Sequence, residues 1–244
     1  MRELFWQGLR ISFHNNNLFK VISFLIFMKN IGITTVTYFR PNSRVDEVRH
    51  SLTLRSLEEA SNLEYPVIMI DGGSPDEFLR EYEKRGANVE QLPGASFGDR
   101  TRLGISKAYE RGHEVIMRLE IEKTPLISQI GRMIKPILDA DAHFVVPHRG
   151  NLESYPEEQR CAERFGDTWF KALTGLEIEL DMWGGTRVWR RDLSHYFLDE
   201  SIDREYQGAD GKPNNWACYF VPVVKIIKDF FYTPRMNRIA TGIP

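Results

Sequence analysis

Two glutamates one residue apart, Glu120 and Glu122, close an apolar run that begins at Val115 and pass directly into Lys123, Thr124 and Pro125. Read as a strand, the stretch has two unequal faces, because strand side chains alternate. Val115, Met117, Leu119 and Ile121 take one side; Ile116, Arg118, Glu120 and Glu122 take the other. Thr124 then reads as a helix N-cap with Pro125 at the first helical position, which places both carboxylates at the carboxyl end of a strand leading into a helix. In an open α/β sheet that edge is where ligands bind. Two carboxylates converging there repel one another unless a cation lies between them. The pair therefore predicts either a hard divalent ion held by carboxylate oxygens, or side-chain cations such as Lys123 that the glutamates orient.

The elements that must position these groups follow from hydrophobic periodicity. Residues 31–39 read as a strand ending in the turn Arg40-Pro41-Asn42-Ser43, and residues 45–61 as a helix with Val48, Leu52, Leu54 and Leu57 as its apolar stripe. Residues 66–70 form a second strand that ends in Asp71-Gly72-Gly73-Ser74-Pro75, where the glycines allow close backbone approach and Ser74 is expected to cap a helix over 75–84. A third strand over 88–92, a helix over 100–111, the strand with the glutamates, a helix over 126–138 and a strand over 142–147 continue the alternation. Strands alternating with helices predict a Rossmann-like, mostly parallel sheet with helices on both faces, in which charge is tolerated at strand ends. Beyond residue 150 the rhythm loosens. A helix over 157–173 with Phe165, Trp169 and Phe170 on its apolar face is expected, then short strands over 176–180 and 186–189. Helices over 192–199 and 215–225 and a last extended segment over 229–232 follow. Trp169, Trp189 and Trp216 are expected in the core.

Composition narrows the class. At 244 residues with a net charge of −2, the chain suits one large α/β domain and offers no global basic surface for nucleic acid. Cys161 and Cys218 are its only cysteines, too few for a disulfide framework or a zinc cluster, which fits a reducing, cytoplasmic setting. Residues 1–27 stand apart as an atypical extension, with an asparagine triplet and an apolar run too short to span a bilayer. Met28 is the expected functional start, and membrane contact is expected only through residues 1–27. Residues 28–150 are read as one half of a single domain and 151–244 as the other.

Four segments in order carry a resemblance: Val36-Thr37-Tyr38-Phe39-Arg40-Pro41-Asn42, Val67 to Asp76 with its core Asp71-Gly72-Gly73-Ser74, Gly104-Ile105-Ser106-Lys107-Ala108, and Glu120-Ile121-Glu122. Together they resemble the nucleotide-sugar-dependent glycosyltransferases of the GT-A fold, family 2 type, well over residues 31–149 and loosely beyond. The resemblance implies a single GT-A-like α/β domain moving a hexose from a nucleotide-diphosphate sugar to a hydroxyl acceptor. It implies a nucleotide-sugar-binding half at 28–150 and an acceptor-side half at 151–244. Tyr38, Arg40, Pro41, Asp71, Ser74, Arg100, Arg102, Glu120 and Lys123 are the implied donor-binding residues, with Asp71 near the base or ribose. Glu120 and Glu122 stand where the family has an Asp-x-Asp metal motif, which implies Mg²⁺ or Mn²⁺. Thr101-Arg102 replaces the family's Arg-Asn, so the arginine is displaced by one position.

An inverting transfer needs a carboxylate to deprotonate the acceptor. Asp181, before Trp183-Gly184-Gly185, is the leading choice for this catalytic base, with Glu179 and Glu177 behind it. Trp183, Gly184, Gly185 and His148 are expected on the acceptor side. Two other classes compete. A sugar nucleotidyltransferase would use a related sheet, but needs a glycine-rich basic loop after its first strand, which Arg40-Pro41-Asn42 does not supply. A catalytically silent nucleotide-sugar-binding domain is favoured by the Glu-x-Glu substitution. No phosphate-cradling Gly-x-x-x-x-Gly-Lys loop, Gly-x-Gly-x-x-Gly fingerprint or nucleophilic triad is present.

Overall fold

A computed structural model describes residues 30–147, 153, 155–176, 184–207, 217–232 and 239–241. Alternation of strands and helices produces the expected sheet: β1 (Ile31–Thr37), α1 (Arg44–Asn62), β2 (Val67–Asp71), α2 (Asp76–Lys84), β3 (Ala87–Gln91), α3 (Phe97–Glu110) and β4 (Val115–Arg118). A 3-10 turn over Thr124–Gln129 leads into α4 (Ile130–Leu138), followed by β5 (Phe144–Val146), α5 (Glu157–Thr174) and β6 (Arg187–Arg190). Short helices α6 (Ser194–Phe197) and α7 (Ser201–Glu205), the long α8 (Ala217–Tyr232) and β7 (Ile239–Thr241) complete it.

The seven strands lie in the order β3-β2-β1-β4-β6-β5-β7. β1 to β4 are mutually parallel, whereas β6 runs antiparallel to both β4 and β5. Period-two alternation splits the strand residues between two cores. Ile31, Ile33, Val67, Met69, Val115, Met117 and Val188 pack with α1, α2 and α4 on one face. Ile68, Ile70, Ile116, Phe144, Val146 and Trp189 pack with α3, α5, α6 and α8 on the other. Leu119 and Ile121 join the first core as expected, although β4 ends at Arg118.

Several sequence expectations require correction. α1 buries only part of its expected stripe: Leu57 is buried and Leu54 packs on the core, but Val48 is 54% exposed, and the buried face also holds Asp46, His50, Thr53, Ser56 and Ala60. Most of these polar groups find partners, the Ser56 hydroxyl excepted among the described residues. Thr53 donates to the Arg49 carbonyl at 2.9 Å, and His50 meets the Tyr82 hydroxyl at 2.7 Å and Glu81 at 3.1 Å. On α5, Phe170 is buried but Phe165 and Trp169 are each 60% exposed, so the core face is set one helical step away from the aromatic pair. Residues 229–232, expected to be extended, form the last turn of α8. Trp189 lies in the core as expected, stacked on Phe197 at 4.1 Å, and Trp216 lies outside the described residues. Among the described residues no helix is long and apolar enough to cross a membrane.

Candidate functional site

Strand order reverses direction at β1. From it the chain builds outward to β2 and β3 on one side, then crosses to β4 on the other. Such a switch point opens a crevice outside the carboxyl ends of the two strands. Because β6 is antiparallel, the segment Gly184-Gly185-Thr186 that enters it arrives at this same edge. α3 runs from β3 back to β4, so its amino end, with Phe97 and Arg100, also lies there. Its close approach to the sheet depends on Gly104, whose Cα faces Thr34 and Ile70 so tightly that a methyl would meet both at 3.4 Å.

After β4 the backbone turns. The Lys123 N–H donates to the Glu120 carbonyl at 3.0 Å, closing a four-residue turn over 120–123. The strand alternation stops at Arg118, and the two glutamates part. Lys123 folds back on the Glu120 carboxylate as an ion pair, whereas Glu122 reaches Arg49 of α1 at 2.9 Å. The expectation that Glu120 and Glu122 share one face is therefore corrected, because a tight turn replaces the extended backbone that it assumed.

Glu120 is enclosed on the crevice side. Gly185 packs against it and against Arg118 so closely that a Cβ at Gly185 would overlap both, and the Gly185 N–H donates to its carboxylate. Burial pushes the Glu120 carboxyl up, but Arg118, Lys123 and that N–H outweigh it and hold the group below its ordinary value. Arg118 is itself buried, at 6% exposure. It donates to the Gly185 carbonyl and lies over the Tyr219 ring, 4.1 Å from its centroid, and over Phe97 at 5.5 Å. Arg187, directly across the β4–β6 register from Arg118, donates to the Gly184 and Thr186 carbonyls. Arg118 thus binds the entry to β6 onto the end of β4, and Arg187 braces that entry from within β6. Neither was assigned a role from sequence, although a charged residue inside an apolar strand covered on both faces was a legible signal for Arg118.

After β2, Asp71 is wholly buried and its carboxylate is saturated. Oδ1 accepts from the Gly73 and Ser74 N–H groups at 2.8 and 2.6 Å, and Oδ2 accepts from the Thr37 and Ser74 hydroxyls at 2.8 and 2.6 Å. With each oxygen already accepting two bonds, Asp71 fixes the turn. Ser74 does not cap α2, whose N-cap is Pro75; its hydroxyl instead accepts from the Phe39 N–H at 2.8 Å, tying β1 to β2. The outward surface of this turn is backbone, and Arg100 lies on it. The guanidinium rests against Gly72 where a methyl would overlap it, and sits 5.9 Å from the ring centroid of the half-exposed Tyr38. Arg100 Nε is buried without a hydrogen-bond partner among the described residues.

The other expected donor residues are placed differently. Arg40 is exposed and pairs with the buried Asp46 at 3.1 Å, and Pro41 stands exposed in the same turn. Arg49 also reaches Asp46, at 3.4 Å, and lies over Phe39 at 5.1 Å. Arg102 points along its own helix to Asp99 at 2.9 Å, within a first turn closed by the reciprocal Ser96–Asp99 capping box. Of the two helical arginines, the register of α3 brings Arg100 to the strand ends and turns Arg102 away. Asp181, Trp183, Glu177, Glu179 and His148 lie outside the described residues, while Gly184 and Gly185 stand at the crevice beside Glu120.

Nothing in this donor set gathers around a divalent ion. Among the described residues no three His, Cys, Asp or Glu side chains come together, and each glutamate already faces a cation of its own. An ion bound at Glu120 would have to displace Lys123 and stand against Arg118. The described residues do not fit the expected metal.

No family model matches the sequence, and no curated protein matches it by sequence. Solved structures match by shape. Glucosyl-3-phosphoglycerate synthase from Mycobacterium tuberculosis, in complex with Mn²⁺, uridine diphosphate and glucosyl-3-phosphoglycerate, superposes with a TM-score of 0.57 at 16% identity, over 97% of this chain and 75% of that one. TarS 1–349 of S. aureus gives 0.52 at 15%, over 87% and 57%. Mannosyl-3-phosphoglycerate synthase from Rubrobacter xylanophilus gives 0.50 at 10%, over 89% and 82%. The chain spans 57% of the TarS chain and 57% of one further glucosyl-3-phosphoglycerate synthase chain. At these identities the likeness establishes the fold: a single α/β domain of the GT-A type, with the mostly parallel sheet and flanking helices expected from the sequence.

Proposed function

We propose that the chain is a glycosyltransferase that moves a sugar, a hexose by the sequence resemblance, from a nucleotide-diphosphate donor to a hydroxyl acceptor. The observation that carries this reading is Arg100. Its guanidinium lies on Gly72 beside Tyr38 at the switch-point crevice and makes no hydrogen bond to the described residues, so it has donors to give a ligand. An aromatic face, a bare glycine backbone and a planar cation suit a nucleoside carrying phosphate. The neighbours of the same fold include one bound to uridine diphosphate, which supports the same donor class here.

In this reading the acceptor oxygen attacks the anomeric carbon, the bond from that carbon to the phosphate oxygen breaks, and the nucleoside diphosphate leaves. If the reaction inverts configuration, the acceptor proton passes to a carboxylate, and Asp181 keeps the role that the sequence assigns it. Trp183 and His148, with Gly184 and Gly185 where the chain enters β6, would face the acceptor. Asp181→Asn should lower turnover by about 10²-fold or more while leaving donor binding intact.

The reading is tested by thermal-shift titration with uridine, guanosine, adenosine and cytidine diphosphates and the corresponding nucleotide sugars. One diphosphate should raise the melting temperature, and Arg100→Ala should abolish most of that shift. If none of the diphosphates or nucleotide sugars shifts the transition, the donor assignment is wrong.

A further inference from the structure

The turn over residues 120–123 sorts the charged groups of the crevice into two sets with different sums. Arg40 and Arg49 face Asp46 and Glu122, two cations against two anions, and this set is closed on itself at the foot of α1. Among the described residues, Arg118 and Lys123 face a single carboxylate, Glu120, and Arg100, over the end of β2, makes no ion pair, because the Asp71 carboxylate below it is turned into its own turn by four hydrogen bonds. Among the described residues Arg118, Lys123 and Arg100 thus stand against one carboxylate that is not already saturated by neutral donors, an excess of positive charge at the crevice. That is the balance a diphosphate requires, and it is present without a metal.

Resting on the donor reading above, we propose that Lys123 and Arg100 neutralise the leaving diphosphate in this chain, in place of a divalent ion bridging Glu120 and Glu122. Lys123 belongs to the end of β4 and Arg100 lies over the end of β2, with β1 between them. Two strand spacings of about 5 Å set the strand ends roughly 10 Å apart, so one extended nucleotide lying across the crevice meets both cations. The Lys123 side chain is 41% exposed, so it can give up part of its contact with Glu120 to a phosphate oxygen. Arg118, held to the Gly185 carbonyl and covered by Tyr219, stays behind Glu120 and prevents that carboxylate from presenting an unbalanced negative charge to the phosphates. Glu122 is excluded from the crevice by its ion pair with Arg49.

The test is calorimetric binding of uridine and guanosine diphosphates to the full chain, in EDTA and in Mn²⁺. The better-bound nucleotide should show dissociation constants within about threefold in the two buffers. Lys123→Ala should weaken binding about tenfold or more in both, with a smaller salt dependence. Glu122→Gln should change affinity less than about twofold in either buffer. Binding that appears only with Mn²⁺, or that Glu122→Gln abolishes in Mn²⁺, overturns the proposal while leaving the donor site intact. No binding of either of these, or of the adenosine and cytidine diphosphates, in any buffer overturns the donor reading, and this proposal with it. Each variant's melting temperature is measured alongside, and Lys123→Arg, which keeps the charge, should restore most of the affinity if Lys123→Ala folds poorly.

Discussion

The turns after β2 and after β4 begin alike and end differently. Both strands are buried, both are parallel neighbours of β1, and each gives way to a carboxylate at the crevice. Asp71 is satisfied by neutral donors from its own turn and from Thr37, four bonds that leave it no outward valence. Glu120 is satisfied mainly by charge, from Arg118 and Lys123, with the Gly185 N–H as the neutral donor among the described residues. Neutral, short-range bonds fix a backbone shape. Long charged side chains can exchange partners without changing it. The first turn is therefore a rigid floor on which Arg100 lies, and the second is a set of cations that a ligand can recruit.

Removing the floor should have the largest effect. Asp71→Ala strands two hydroxyls and two N–H groups in a buried place and should cost about 3 kcal/mol or more, measured by chemical denaturation. A loss below about 1 kcal/mol would mean that the turn holds without its carboxylate and that the contrast between the two turns is false. Gly72→Ala comes next. The glycine is not held at positive φ, so an added methyl is tolerated by the backbone but displaces the Arg100 guanidinium. Stability should change by less than about 1 kcal/mol, while nucleoside diphosphate affinity falls about tenfold by calorimetry.

The smallest effect sharpens the other turn. The Glu120 carboxyl is held below its ordinary value of 4.5 in the folded chain, so its ionised form stabilises the fold above that value, and the contribution is lost as pH falls through the lowered value. Acid denaturation followed by circular dichroism should show wild-type stability falling below about pH 4.5, with a shallower fall in Glu120→Gln. Parallel acid profiles for the two proteins would show that the cations around Glu120 do not favour its charge.

Much of the architecture was legible because it depends on local periodicity. Apolar alternation in Val115 to Leu119 gives a strand with two buried faces wherever it is placed, and glycine at 104 marks a close helix approach once a strand and helix are adjacent. Periodicity also identified Phe165 and Trp169 as one stripe of α5. It could not tell which side of that helix meets α8, and the structure buries Phe170 and exposes the pair. Likewise α1 can bury His50 and Thr53 because Tyr82 and Glu81 of α2 supply partners for His50 and the helix's own carbonyl serves Thr53.

By itself the sequence determined the order of strands and helices, the two-faced character of the strands and the kinds of charge brought to the carboxyl edge. Each of these follows from residue type and spacing along a short stretch of chain. The tertiary structure alone decided that β6 runs antiparallel and brings Gly184 and Gly185 to Arg118 and Glu120, and that Arg100 rather than Arg102 faces the crevice. It also decided how Glu120 and Glu122 divide. A turn of four residues pairs the first with Lys123, and the second finds Arg49, seventy-three positions away in sequence. A carboxylate's partner is the nearest cation in space, and that distance is set only when the chain has folded.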